Sequence, residues 1–109
     1  ASVHEELDEL LLPWDDVSTW GMFGGRGYFV GGRLFVAFYG GIANKLPDQD
    51  LEEALNRQIA SPFTPVLGRW FGTWVRLPLE DPDGVQAFLP WLRKAYKYVL
   101  VTPHKGRKW

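Results

Sequence analysis

Apolar side chains fall on one helical face at the start of the chain, where Val3, Leu7, Leu10 and Leu11 recur at helical spacing. Ser2-Val3-His4-Glu5 fits a capping box, in which the serine hydroxyl and the glutamate each satisfy an orphaned amide. Pro13 ends this helix, because proline cannot continue the backbone ladder. A short polar crossing leads to Thr19–Lys45, where the period changes. Segments rich in Phe, Tyr and Val alternate there with the pairs Gly24-Gly25, Gly31-Gly32 and Gly40-Gly41. That punctuation predicts a β-meander, since two-residue hairpin turns need the positive φ that glycine adopts without strain.

The helical period returns after Lys45. Pro47-Asp48 opens a second helix whose buried stripe is Leu51, Ala54, Leu55 and Ile59, with Asp48, Asp50 and Glu52 at the positive end of its dipole. Ser61–Val66 carries two prolines and is at most an edge strand. Thr73–Leu77 alternates as a sheet strand and sets Trp74 and Arg76 on one face. Asp81 then caps a third helix with Pro82 at its first position, and Val85, Phe88, Leu89, Leu92 and Tyr96 form its packing face. Pro90 falls inside that helix and is expected to kink it. The expected fold is α+β and two-layered, in the order helix, three or four antiparallel strands, helix, one or two strands, helix. Residues 1–101 make one domain and residues 102–109 a basic tail.

Composition narrows the classes. A chain of 109 residues with 46% apolar and 16% aromatic residues is one ring-rich domain, not a disordered one. The sequence holds no cysteine, which excludes disulfides, thiolate metal centres and a catalytic thiol. No apolar run suits a membrane span or an export signal, so a cytoplasmic protein is expected. Net charge is −1, yet residues 1–16 hold six acidic side chains and residues 93–109 six basic ones. Those charges either solubilise the ends or bring them together.

Met22-Phe23-Gly24-Gly25, Gly27-Tyr28-Phe29-Val30, Gly32-Arg33-Leu34-Phe35-Val36 and Ile42-Ala43-Asn44-Lys45 together resemble the TfoX N-terminal domain family of bacterial competence regulators. Asp81-Pro82-Asp83, Phe88 and Trp91–Tyr96 are similar to that family's closing helix, so the resemblance spans about Trp14 to Leu100. It implies a two-layer fold and a link to regulation of bacterial competence or gene expression, and it supplies no catalytic residues. Family regulators commonly carry a second domain, and this chain resembles the N-terminal domain standing alone.

Candidate chemistry is sparse. His4 and His104 lie at opposite ends, and neither Ser18 nor Ser61 sits in a nucleophile-elbow context. The glycines lie between strands, whereas phosphate cradles lie between a strand and a helix. Asp48-Gln49-Asp50 lacks the glycine and glutamate of a calcium loop. No enzyme activity, cofactor or metal is expected. Arginines interleaved with rings make an interaction surface of Arg26 (at the tip of the first glycine turn), Tyr28, Lys45, Arg69, Trp70, Trp74 and Arg76. The competing reading makes those rings core, with arginine stems lying over them. The leading function is a non-catalytic, homodimeric module that binds an unidentified protein through an exposed sheet edge or the aromatic and arginine surface. Pairing of two sheet edges is a common route to a dimer. The alternative is a DNA- or RNA-associated protein using the basic third helix and a tail of Lys105, Arg107, Lys108 and Trp109.

Overall fold

The computed structural model describes residues 2–22, 25–38, 41–63, 73–78 and 82–102. It is a mixed α+β chain with an antiparallel sheet and three α-helices. Helix α1 (Val3–Leu11) begins with the capping box, the Glu5 amide donating to Ser2 Oγ at 3.1 Å and the Ser2 amide to Glu5 Oε1 at 2.9 Å. Val3, Leu7 and Leu11 are buried, as their spacing requires. Strands β1 (Val17–Met22), β2 (Gly25–Val30), β3 (Arg33–Phe38) and β4 (Ile42–Lys45) follow, then α2 (Asp48–Asn56), β5 (Ser61–Pro62), β6 (Trp74–Leu77) and α3 (Leu89–Val101). The strand order across the sheet is β1-β2-β3-β4-β6-β5, every pairing antiparallel. The meander thus starts at Val17, inside the stretch expected to be a polar crossing.

Alternation gives the sheet two faces. Tyr28, Val30, Val36, Ile42, Val75 and Leu77 share one cluster with Val3, Leu7 and Leu11 of α1, Leu51 and Ala54 of α2, and Leu92, Ala95 and Val99 of α3. Phe29, Leu34, Ala37, Ala43, Phe63 and Trp74 form a second cluster on the opposite face. A bulge in β3 departs from strict alternation. Tyr28 pairs with Val36 and Phe29 with Leu34, so Phe35 is the extra residue, and both Phe35 and Val36 are fully buried among the helices. Gly31 and Gly32 make the β2–β3 turn at φ +58° and +80°, the left-handed region that a two-residue hairpin demands.

Pro90 does not kink a helix. Residues Pro82–Phe88 are a 3₁₀ helix and α3 starts afresh at Leu89, with Pro90 in its first turn. An amide there has no intrahelical acceptor, so the ring costs nothing and its fixed φ favours the start. The expected cap Asp81 lies outside the described residues. The other end of α3 is held by Arg33, whose guanidinium donates to the carbonyls of Thr102 and Leu100. Those carbonyls are the orphaned acceptors at a helix C-terminus, where a cation also meets the negative end of the dipole. Asn44, fully buried on β4, ties the sheet to α3 by donating from Nδ2 to the Trp91 carbonyl at 3.3 Å.

Candidate interaction surface

Strand register builds one row of side chains across the whole outer face of the sheet. Trp20 of β1 pairs with Gly27, Gly27 with Ala37, Ala37 with Ala43, Ala43 with Arg76, and Arg76 with Ser61 of β5. The middle of the row is therefore small, and its flanks are a tryptophan and an arginine. Alongside it lie Phe29, Leu34, Lys45, Trp74 and Phe63. The Trp20 ring stacks on Phe29 with centroids 3.7 Å apart and planes at 10°, while half of its surface stays exposed. At the far end Phe63 and Trp74 pack at 6.3 Å between centroids. A Cβ placed on Gly41 would lie 2.8 Å from an Arg76 Nη, so the guanidinium occupies the space glycine leaves.

Lys45 ends β4 opposite Trp74 and is half-buried. Burial holds its ammonium below the usual lysine range, with the Arg33 guanidinium acting the same way. On this face Phe29, Trp74 and the strip of Gly27, Ala37 and Ala43 are buried, while Trp20 and Arg76 are exposed and Lys45 is half-buried. None of the described helices contributes to the outer-face cluster.

The seven candidate residues do not form one surface. Arg26 is not at a turn tip but within β2, paired with Gly21 and Phe38, and strand alternation puts it on the face of Tyr28. Tyr28 is fully buried beneath α1, where its hydroxyl donates to Asp8 Oδ1 at 2.7 Å. A hydrogen bond to a helix and an apolar ceiling make it a core residue. Burial, reinforced by the Asp8 carboxylate, drives its phenol above the ordinary tyrosine range. His4 lies 3.4 Å from the same carboxylate through Nε2. Lys45, Trp74 and Arg76 do share the outer face, but Trp74 is buried there at 5% exposure and is a core ring, leaving Lys45 and Arg76 as the accessible pair. Arg69 and Trp70, like the tail residues Lys105, Arg107, Lys108 and Trp109, lie outside the described residues.

Sequence reasoning missed Trp20, Gly27, Ala37 and Ala43 as parts of one row. Their common parity was visible, but which residues oppose one another depends on turn lengths and on the β3 bulge. The basic face of α3 is partly committed within the fold. Arg93 sits 4.9 Å over the Trp14 ring, and Lys94 pairs with Asp50 at 3.1 Å. Among the described residues no group of His, Asp and Glu could hold a metal ion, and no helix is long and apolar enough to cross a membrane.

Comparison with protein-family models, curated proteins and solved structures finds no match to this chain.

Proposed function

We propose that the chain is a non-catalytic protein-interaction module, a two-layer domain similar to the TfoX N-terminal family. It works in the bacterial cytoplasm, in regulation of competence or gene expression, through the outer face of its sheet. The observation that carries this reading is the row from Trp20 to Arg76. It sets a half-exposed ring and an exposed arginine at either side of a strip of Gly27, Ala37 and Ala43 that is itself buried. Tryptophan and arginine are the side chains that dominate binding energy at protein interfaces. The resemblance of Met22–Lys45 to the competence-regulator family supports the regulatory setting. The basic surface supports a nucleic-acid role less well, because Arg93 and Lys94 already face partners inside the fold.

The test compares proteins captured from bacterial lysate by the immobilised chain and by a Lys45→Glu/Arg76→Glu variant whose circular dichroism is unchanged. A protein retained by the first and lost by the second is expected. Identical captures would refute the outer-face reading.

A further inference from the structure

The two edges of the sheet are built differently. β5 is two residues long and includes Pro62, which has no amide to donate, so that edge is blunted. β1 is six residues long, Val-Ser-Thr-Trp-Gly-Met, with no charge, no proline and no bulge in its register against β2. An edge with those features is open to another strand. Among the described residues no strand lies on its outer side.

The direction of each backbone group follows from the turns. Val30 and Arg33 flank the two-residue Gly31-Gly32 turn, so they exchange hydrogen bonds with each other. Alternate residues of β2, Phe29, Gly27 and Gly25, then bond to β1 through Ser18, Trp20 and Met22. That leaves Val17, Thr19 and Gly21 facing outward. The Val17 amide donates to the Trp14 carbonyl at 3.2 Å, so the open donors belong to Thr19 and Gly21.

We propose that β1 pairs antiparallel with β1 of a second copy about a two-fold axis at Trp20. This deepens the interaction reading above, and rests on it, by naming one partner of the sheet. In this register Thr19 opposes the partner's Gly21, and the two exchange both hydrogen bonds. Gly21 is exposed, and a Cβ there would touch only the Gly25 carbonyl, so the threonine meets open space. Trp20 opposes the partner's Trp20 at a non-hydrogen-bonded position, where facing side chains approach most closely. Each half-exposed ring is then covered by its counterpart, and the six strands of one copy continue into the six of the other. A second copy fits this edge because the strand is uncharged and an antiparallel pairing is self-complementary.

Because the chain has no cysteine, single-cysteine variants give a clean test. Trp20→Cys is expected to form a disulfide-linked dimer on mild oxidation, since opposed residues lie within the roughly 4.4–6.8 Å Cα reach of a disulfide. Ser18→Cys is expected to stay unlinked, its counterpart being four residues away, roughly 13 Å. Sedimentation equilibrium of the unaltered chain should show a concentration-dependent dimer of the 12.5 kDa protomer. Thr19→Pro removes the outward amide together with the bond from Thr19 Oγ1 to the Gly27 carbonyl, and Thr19→Val removes that bond alone. The proline variant should therefore be a monomer and the valine variant a dimer, each with an unchanged circular-dichroism spectrum. Linkage at Ser18→Cys with none at Trp20→Cys, an unaltered chain that is monomeric at every concentration, or a dimer that survives Thr19→Pro overturns the pairing. A monomer that still captures a protein in a manner abolished by Lys45→Glu/Arg76→Glu overturns this pairing alone. A β1-linked dimer whose captures ignore those charges overturns the outer-face reading alone.

Discussion

Tyr28 ties α1 to the sheet through a bond between its hydroxyl and Asp8, inside a site with no exposure of the ring. Tyr28→Phe removes that bond and should cost about 1–2 kcal/mol, read as a lower midpoint in urea unfolding. The same residue gives the fold an alkaline limit. Its folded pKa is raised, so above the unfolded value near 10 the unfolded state releases a proton that the folded state keeps. Stability is therefore complete below pH 10 and falls above it, by up to about 1.4 kcal/mol per pH unit, and Tyr28→Phe should lose this component. Lys45 has the opposite sign. Its folded pKa is lowered, so the charged form is disfavoured by folding, and Lys45→Met should leave the melting temperature equal or higher. The sequence made Tyr28 a surface candidate because a ring between glycines fits either side of a strand. Only its parity with Val30, and the placement of α1 above it, decide that it is core.

At the scale of elements, the face of α1 was legible because period and burial agree, with Val3, Leu7 and Leu11 buried at the spacing that announced them. In α2, by contrast, Leu51 and Ala54 are buried, Leu55 only partly, and Ile59 lies beyond the helix, which ends at Asn56. The third helix was legible in its apolar positions but not in its start. Pro90 in a helix interior would cost about 3 kcal/mol, whereas Pro90 in a first turn costs nothing. Pro90→Ala should therefore change stability by less than about 1 kcal/mol, and a gain near 3 kcal/mol would mean a continuous helix through Phe88. The cap on the far end could not be read at all, because Arg33 and Thr102 are distant in sequence and meet only when α3 lies across the β2–β3 turn. Arg33→Met should cost about 1 kcal/mol and speed amide exchange in the last turn of α3 more than elsewhere. Strand existence was legible from the glycine pairs. Register was not, since the extra residue Phe35 looks like any other strand residue in sequence.

For the whole molecule, what matters is which surface meets a partner. The helices bury their apolar faces in one cluster with the sheet, while the outer face carries Trp20, Lys45 and Arg76, and β1 carries open backbone groups. The composition pointed to aromatic and cationic contacts but could not distribute them, and it grouped Arg26 and Tyr28 with residues on the opposite face. A basic-tail mechanism predicts something different. Three phosphate contacts by Lys105, Arg107 and Lys108 would weaken DNA binding about 40-fold between about 50 and 200 mM salt. The sheet-centred reading predicts no such slope. Sedimentation velocity of the full chain, with and without a labelled DNA duplex at low salt, separates the two. The expected result is a protein boundary that grows heavier with concentration and leaves the DNA boundary unmoved. A protein that stays monomeric and travels with the DNA would contradict it.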